Sequence, residues 1–560
     1  MWWKNAVVYQ IYPRSFADAN GDGIGDIPGI TSKLDYLKWL GVDVLWISPH
    51  YPSPQVDVGY DVADYTDVNP EYGSLDDFRT MLNEAHARGI RVILDMVLNH
   101  TSDLHRWFID SKSSKDNPKR DWYVWKDPGK DGGTPNNWDS IFGGSAWEWD
   151  EATGQYYYHY FLKEQPDLNW RNPEVEKAMF DSMRFWLDMG VDGFRLDAIG
   201  TIFEDTGYPD HKSPYNAYDA IKAFWLGKEG DFDPEEVSQR FQWHFGLQQD
   251  LPEIHDLMKR MRQMIDEYDD RLLVGETSDL KYLGKGDNQL HAVFNFDLLA
   301  KNRLSPEIVR QNQQKWLVSV PHGAWFGNTL NNHDQSRTKT HYGDGVHDAE
   351  LARVSAALML TLSGTPYLYY GEEIGMKDYA VQSFDEVRDM VAAVYRRLMR
   401  EDGRSDEQIL KDLATFSRDR CRTPMQWDDA PNAGFSPADV QTWLPVHDSY
   451  AQGVNVAQQK QDETSLLHFF RTLIHLRKTT PALLEGSYAQ IDPESSEYLA
   501  YLRQTDDQTC AVFINFTPDA QPVAYRFNGT KVLFSSGNRS SIDSVTIDLQ
   551  PFEVLIVELL

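Results

Sequence analysis

Short apolar runs ending in polar residues alternate with longer stretches of helical period through the first two-thirds of the chain. The runs cover residues 7–11, 42–47, 91–97, 193–196, 271–274, 292–294, 325–330 and 366–370, and amphipathic helical patterns among the earlier ones cover 30–40, 75–89 and 173–190. Strand-helix alternation repeated eight times predicts an α/β fold, a (β/α)₈ TIM barrel rather than an open sheet. Two segments break the rhythm. Residues 101–169, rich in Trp, Tyr, Gly, Asp and Lys, read as a subdomain inserted after the third strand, and a second insertion between 372 and 435 is largely helical over 385–415. Beyond a helical pattern at 466–478 the period falls to two, with β-runs at 498–503, 509–516, 531–534, 545–549 and 553–559. The predicted organisation is a barrel made of 1–100 and 170–480, the insert 101–169, and a sandwich-like antiparallel β-domain over 481–560.

Active sites of such barrels lie at the C-terminal ends of the strands. The residues that end the runs should therefore converge: Asn99 and His100, Asp197, Glu276, His333 and Asp334. In Gly193-Phe194-Arg195-Leu196-Asp197 the cation and the anion share one face of a strand. Arg195 can thus hold Asp197 ionised and oriented, as a nucleophilic carboxylate requires. Glu276, in Val274-Gly275-Glu276-Thr277, suits a general acid if a partly dry pocket keeps it protonated. His100 and His333 stand beside Asn or Asp at strand ends, where an imidazole can bond ligand hydroxyls. Each of these features alone is more often structural. Three strand-end carboxylates at one barrel mouth leave few structural readings, because burying unpaired anions together is costly.

Asp18-Ala19-Asn20-Gly21-Asp22-Gly23-Ile24-Gly25-Asp26 sets side-chain oxygens at alternate positions on a glycine-bent loop, a spacing that suits Ca²⁺ or Mg²⁺. Gly29 stands where an EF-hand has its bidentate Glu, and a strand leads in, so an EF-hand is not expected. A metal-free Asx-rich turn is the alternative.

The chain has 560 residues, more than one hydrophobic core usually fills. With 54 Lys and Arg against 86 Asp and Glu the formal charge is −32, which argues against nucleic-acid or anionic-membrane partners. Aromatic content is 13%, and flat rings can stack on sugar faces or simply fill cores. Two cysteines, Cys421 and Cys510, make no disulfide framework. No apolar stretch is long enough to span a bilayer, and the N-terminal residues lack a signal-peptide pattern, so a cytoplasmic location is expected. Nothing in the pattern indicates an oligomeric state.

With these motifs assembled, the chain resembles the α-amylase family of retaining glycosidases, glycoside hydrolase family 13, in its exo-acting α-glucosidase and oligo-1,6-glucosidase branch. The likeness runs from Ala6-Val7-Val8-Tyr9-Gln10-Ile11-Tyr12-Pro13-Arg14-Ser15-Phe16, through the strand-end motifs and Gln165-Pro166-Asp167-Leu168-Asn169, to Gly364-Thr365-Pro366-Tyr367 and Arg422-Thr423-Pro424-Met425-Gln426-Trp427-Asp428. It implies Asp197 as nucleophile, Glu276 as acid/base and Asp334 as the carboxylate that binds ring hydroxyls and distorts the sugar. It implies that His100, Arg195 and His333 line the glucose subsite, with Tyr60 as stacking platform, and that Asp57 and Arg422 grip the terminal sugar and close the pocket. The implied metal ligands are Asp18, Asn20, Asp22, the Ile24 carbonyl and Asp26, in a structural role, with no cofactor for catalysis.

The implied substrate is a short α-glucoside. Its terminal glucose is released with retention, and transglucosylation is a side activity. In look-alike enzymes Val tends to follow the nucleophile for α-1,6 cleavage. Ala198 therefore leans the expectation toward α-1,4, maltose-type linkages. Oligo-1,6-glucosidase and sucrose-active or isomerising activities are the alternatives, the more so because Gly200 stands where branch relatives often have Asn and 201–248 departs from the usual helix-forming stretch. A catalytically dead carbohydrate-binding or transporter-associated relative would have lost the carboxylates that this chain keeps.

Overall fold

The computed structural model describes residues 1–216, 219, 234–523, 529–542 and 547–560. Eight parallel strands, β1 (Val8–Ile11), β2 (Val44–Ile47), β3 (Arg91–Val97), β4 (Gly193–Asp197), β5 (Leu272–Gly275), β6 (Ala292–Asn295), β7 (Trp325–Asn328) and β8 (Thr365–Tyr369), close in chain order, β8 pairing back onto β1. Helices cover the outside and side chains fill the inside. The strands are therefore buried on both faces and read as unbroken apolar runs. Every expected run falls on its strand, with ends displaced by no more than two residues.

Local chemistry sets the helix ends. Ser74 Oγ accepts the Asp77 N–H while the Asp77 carboxylate accepts from Ser74, a capping box that starts Leu75–Ala87. Pro173–Met189 begins on an Asn172 cap and ends at Gly190, whose φ of 111° closes the turn without a Cβ penalty. The single helix expected over 30–40 is in fact two, Ile27–Ser32 and Leu34–Leu40. Asp26 caps the first by accepting the Gly29 N–H, and Pro28 in the first turn pulls its start forward.

The insert after β3 carries a small antiparallel sheet of Trp125–Lys126, Gln155–Tyr158 and Trp147–Asp150. The insertion after β8 contains the helices Met390–Glu401 and Asp406–Phe416. The two insertions share one hydrophobic core, in which Trp138, Ile141, Phe142 and Tyr158 meet Val391, Tyr395, Met399, Ile409 and Leu413. This joint body stands over one side of the barrel mouth.

Residues 487–560 form a five-stranded antiparallel sheet, in the order Ser487–Gln490, Tyr498–Gln504, Thr509–Asn515, Val554–Leu559, Thr530–Ser535, with the pair Gln521–Val523 and Ile547–Leu549 against it. Alternate residues do opposite jobs. Ala500, Phe513, Leu555 and Val557 pack toward the small pair, whereas Tyr501, Val512, Ile514 and Ile556 join the barrel core. The expected runs correspond to these strands except at 545–549, where 545 and 546 lie outside the described residues. The stretch 201–248 is likewise only partly described, and its visible end is the helix Pro234–Phe245. Among the described residues no helix is long and apolar enough to cross a membrane.

Candidate active site

Asp197 ends β4, and Glu276 directly follows β5, whose Gly275 is in register with Leu196. The Glu276 N–H donates to the Leu196 carbonyl at 2.9 Å, extending the ladder by one step. Gly275 is demanded by packing, since a Cβ there would lie 2.5 Å from Leu290 Cδ1 and 2.7 Å from Ile199 Cδ1. The two carboxylates therefore rise from adjacent staves.

One guanidinium joins them. Arg195 Nη1 lies 2.6 Å from Asp197 Oδ1 and 2.8 Å from Asp95 Oδ1, while its Nη2 lies 2.6 Å from Glu276 Oε1. Ala198, in the left-handed region at φ 43°, turns its N–H onto Glu276 Oε2 at 2.9 Å. Asp95 comes from β3, opposite Arg195 in the strand register, and is fully buried.

Three carboxylates around one cation leave the cluster net anionic if all are ionised. Burial pushes the Asp197 carboxyl well up; Arg195 opposes this, and Glu276 and Asp95 reinforce it. Asp95 is pushed up to about 6 by burial, against the pull of Arg195.

Asp334, in the loop after β7, is set the other way. Burial opposes its ionisation, but His333, Arg422 with Nη2 at 2.6 Å and Arg418 with Nη1 at 3.7 Å together hold the carboxyl below the usual range. His333 Nε2 lies 3.1 Å from Asp334 Oδ2 and 2.7 Å from the Tyr60 hydroxyl, and Gln10 Nε2 donates to its Nδ1 at 2.8 Å. That donor fixes the proton on Nε2. Burial drives His333 down to about 3, so its contact with Asp334 at neutral pH is a neutral hydrogen bond rather than an ion pair. His100 is likewise neutral, pushed down to about 4 by burial, with Nε2 against the Tyr60 carbonyl at 3.1 Å.

A pocket opens above these groups. Asp57, Tyr60, His100, Asp197, Glu276 and Asp334 line it directly. Arg195, His333 and Arg422, expected as lining or gripping residues, instead stand behind it, each 1% exposed or less. They are cations and an imidazole placed to neutralise or orient the carboxylates in front. Tyr60 offers a flat ring, backed by His333 in a parallel stack with centroids 5.3 Å apart.

Asp57 and Arg422, expected to grip the terminal sugar, take different charged partners. Arg422 is committed to Asp334, and the partner of Asp57 is Arg418, whose Nη2 lies 2.6 Å from Asp57 Oδ1 and 2.7 Å from Asp389 Oδ1. Arg418 follows the helix Asp406–Phe416 within the second insertion, only four residues before Arg422, so position along the chain could not separate them.

Sequence reasoning also gave no role to Asp95, although a carboxylate inside the apolar run Arg91-Val92-Ile93-Leu94-Asp95-Met96-Val97 was the signal to find it. It gave none to Gln165, whose amide lies 3.1 Å from Asp57 Oδ2 and 3.0 Å from His100 Nε2. The apolar lining of Ile141, Phe142, Phe161, Val391, Tyr395 and Phe416 comes from the two insertions and carried no local signal. Gly200 has a simple explanation: a Cβ there would lie 2.8 Å from Asp250 Oδ1, so Asp250 fills the space.

At the loop 18–26 the side-chain oxygens accept backbone N–H groups. Asp18 takes those of Gly21 and Gly23, and Asp26 takes those of Ala19, Asn20 and Gly29. Asp26 Oδ2 is filled by two of these N–H groups, whereas the Asp18 oxygens and Asp26 Oδ1 each keep a further lone pair of the kind a hard cation takes.

A model of the alpha-amylase catalytic domain matches residues 10–486, most of the chain. The chain belongs to the α-amylase family. An oligo-1,6-glucosidase of Parageobacillus thermoglucosidasius is 40% identical over 537 residues, covering 92% of this chain and 91% of that one. Among solved structures, the trehalulose synthase MutB of Pseudomonas mesoacidophila MX-45 superposes with a TM-score of 0.88 at 37% identity, covering 100% of both chains. An isomaltulose synthase variant from Erwinia rhapontici NX5, solved in complex with its natural substrate sucrose, gives 0.87 at 37% identity and covers 100% of this chain and 99% of that one. This α-amylase family member is a glycoside hydrolase, for which no catalytic cofactor is expected.

Proposed function

We propose that the chain is a retaining, exo-acting α-glucosidase that releases α-glucose from the non-reducing end of short α-glucosides. One observation carries this reading: a single guanidinium, that of Arg195, grips both Asp197 and Glu276. A retaining pair must stand ~5–5.5 Å apart, and an inverting pair wider to admit a water. A shared cation supports the narrower spacing. Asp197, held by Arg195, attacks the anomeric carbon while Glu276 gives its proton to the glycosidic oxygen. The C–O bond breaks, the leaving alcohol departs, and a glucosyl ester forms on Asp197. Glu276 then takes a proton from water, which opens the ester and restores both groups. Asp334, ionised beside Arg422, accepts from ring hydroxyls, and Tyr60 packs on the sugar face. A sugar hydroxyl in place of water gives transglucosylation.

The Asp57–Arg418–Asp389 ion-pair chain at the pocket supports attack on a chain end rather than mid-chain. Linkage is read from Ala198, a methyl-sized side chain on the pocket wall beside the nucleophile, which favours α-1,4 over α-1,6 bonds. A sucrose-active enzyme is the second reading. It is favoured by the aromatic lining of Phe142, Phe161, Tyr395 and Phe416 and by the sucrose-converting structural neighbours. The loop 18–26 is proposed as a structural Ca²⁺ or Mg²⁺ site through Asp18, Asn20, Asp22, the Ile24 carbonyl and Asp26. The substrate is a small neutral sugar, and the reading places the enzyme in the cytoplasm.

Two measurements test these statements. Proton NMR of the first product from p-nitrophenyl α-glucoside should detect α-glucose, and β-glucose appearing first would remove the retaining mechanism. Comparison of kcat/KM on maltose, isomaltose, sucrose and trehalose should favour maltose. A clear preference for isomaltose would overturn the linkage assignment, and one for sucrose would install the second reading.

A further inference from the structure

Away from the catalytic pocket, Asp139, His211 and His244 bring one ligand atom each to within 4.8 Å of one another. Asp139 belongs to the insert after β3, His211 to the loop after β4, and His244 to the last turn of the helix Pro234–Phe245. The two imidazoles pack ring to ring with centroids 4.1 Å apart, and His244 Nε2 lies 3.0 Å from Asp139 Oδ2. His244 is 1% exposed, yet among the described residues its Nδ1 has no hydrogen-bond partner, an omission that costs free energy in a buried ring. His211 Nδ1 accepts the Ser213 N–H at 3.2 Å, so metal binding through Nε2 requires the tautomer with its proton on Nδ1, at the cost of that bond.

We propose that Asp139, His211 and His244 form a binding site for a divalent transition ion of the Zn²⁺ type. Two imidazoles and one carboxylate are the donors such ions prefer, whereas Ca²⁺ and Mg²⁺ select oxygen-only sets. Three protein ligands leave a fourth tetrahedral position for water, and the partly exposed Asp139 side chain gives the ion a way in. The donors need to close further to reach metal–nitrogen contacts of about 2.0–2.1 Å. Side-chain rotation on two loop residues supplies that movement.

The segments concerned are already stitched together. Asn137 N donates to Asp210 Oδ1 at 3.0 Å, His211 N donates to Asn137 Oδ1 at 2.8 Å, and Trp138 Nε1 donates to the Pro209 carbonyl at 2.8 Å. A bound ion would lock this seam two residues from Ile141, which lines the catalytic pocket. The ion is therefore a clamp on the pocket wall rather than a participant in the chemistry.

The experiment uses the full chain, stripped with a chelator and dialysed against Zn²⁺ with millimolar Ca²⁺ and Mg²⁺ present to occupy the 18–26 loop. Metal per chain is measured by atomic absorption and melting temperature by calorimetry. The wild type should take up one Zn²⁺ per chain and melt higher with it. His211→Gln and Asp139→Asn should each weaken Zn²⁺ binding by at least about 10-fold, comparable to the loss of an outer-shell partner. Both should keep the metal-free melting temperature and glucosidase rate, which establishes that they fold. Absence of stoichiometric uptake by the wild type, or uptake unchanged in both variants, overturns the site.

Discussion

Arg418 Nη2 lies 2.6 Å from Asp57 Oδ1, an ion pair that ties the insertion after β8 to the loop after β2. Arg418 also holds Asp389 and faces Asp334, so removing it leaves buried carboxylates without their cation. Breaking such a pair from one side costs about 3–5 kcal/mol, because the remaining charge stays desolvated. Arg418→Ala should accordingly lower kcat/KM on maltose by at least ~100-fold, where 1.4 kcal/mol is tenfold. It should also narrow the gap in kcat/KM between maltose and longer maltooligosaccharides as the pocket opens. Steady-state kinetics on that series checks both. Arg422→Ala, which removes the nearer cation of Asp334 and leaves the Asp57 pair intact, should lose activity without relaxing chain-length selection.

Glu276 is held at both oxygens, by Arg195 and by the Ala198 N–H. Glu276→Gln keeps the shape and removes the transferable proton. General acid catalysis contributes ~10²–10⁴-fold, and only where the leaving group needs protonation. The variant should lose that factor on maltose, whose leaving sugar is a poor one, and far less on p-nitrophenyl α-glucoside, whose phenolate leaves unaided. Azide should then rescue the second step and give α-glucosyl azide, detectable by NMR. Equal losses on both substrates would remove Glu276 from the acid role.

The barrel was legible because strands buried on both faces leave continuous apolar runs, and the polar residues ending them had one place to converge. Asp197, Glu276 and Asp334 were found that way and do meet in one pocket. The pocket wall was not legible. Phe142, Phe161, Tyr395 and Phe416 come from insertions whose shared core is built of contacts some 250 residues apart in the chain, and no local period encodes such a meeting. Chain order likewise could not tell which neighbouring arginine pairs with Asp57, since only the fold decides that. The small strands Ser487–Gln490 and Gln521–Val523 were too short to carry a period.

The loop at 18–26 offers a prediction on stability rather than rate. Its carboxylates already accept backbone N–H groups, so it keeps its shape without an ion, and a bound cation adds stability by mass action alone. At a Ca²⁺ concentration ~100 times the dissociation constant that gain is about 2.7 kcal/mol. Calorimetry should therefore detect a melting temperature that rises with millimolar Ca²⁺ and falls with chelator. Asp22→Asn should abolish the response while leaving kcat on p-nitrophenyl α-glucoside unchanged.

His50 gives a pH prediction with a defined sign. It is fully buried, stacked on Phe78 at 4.9 Å and edge-on to Trp186, and among the described residues neither ring nitrogen has a partner. Burial pushes it down to about 3, whereas in the unfolded chain it titrates near ~6.5. Between these values only the unfolded state binds the proton. The contribution of His50 to stability is therefore fully present above pH ~6.5 and is lost as pH falls toward the folded value, at about 1.4 kcal/mol per pH unit. Other buried groups titrate over the same range, so the effect is read as a difference. His50→Phe removes the titration and keeps the stack. Denaturant unfolding of both proteins at pH 7, 6, 5 and 4 should give a stability difference that moves steadily in favour of the variant as pH drops. A difference constant with pH would mean that His50 is protonated inside the fold or already neutral outside it.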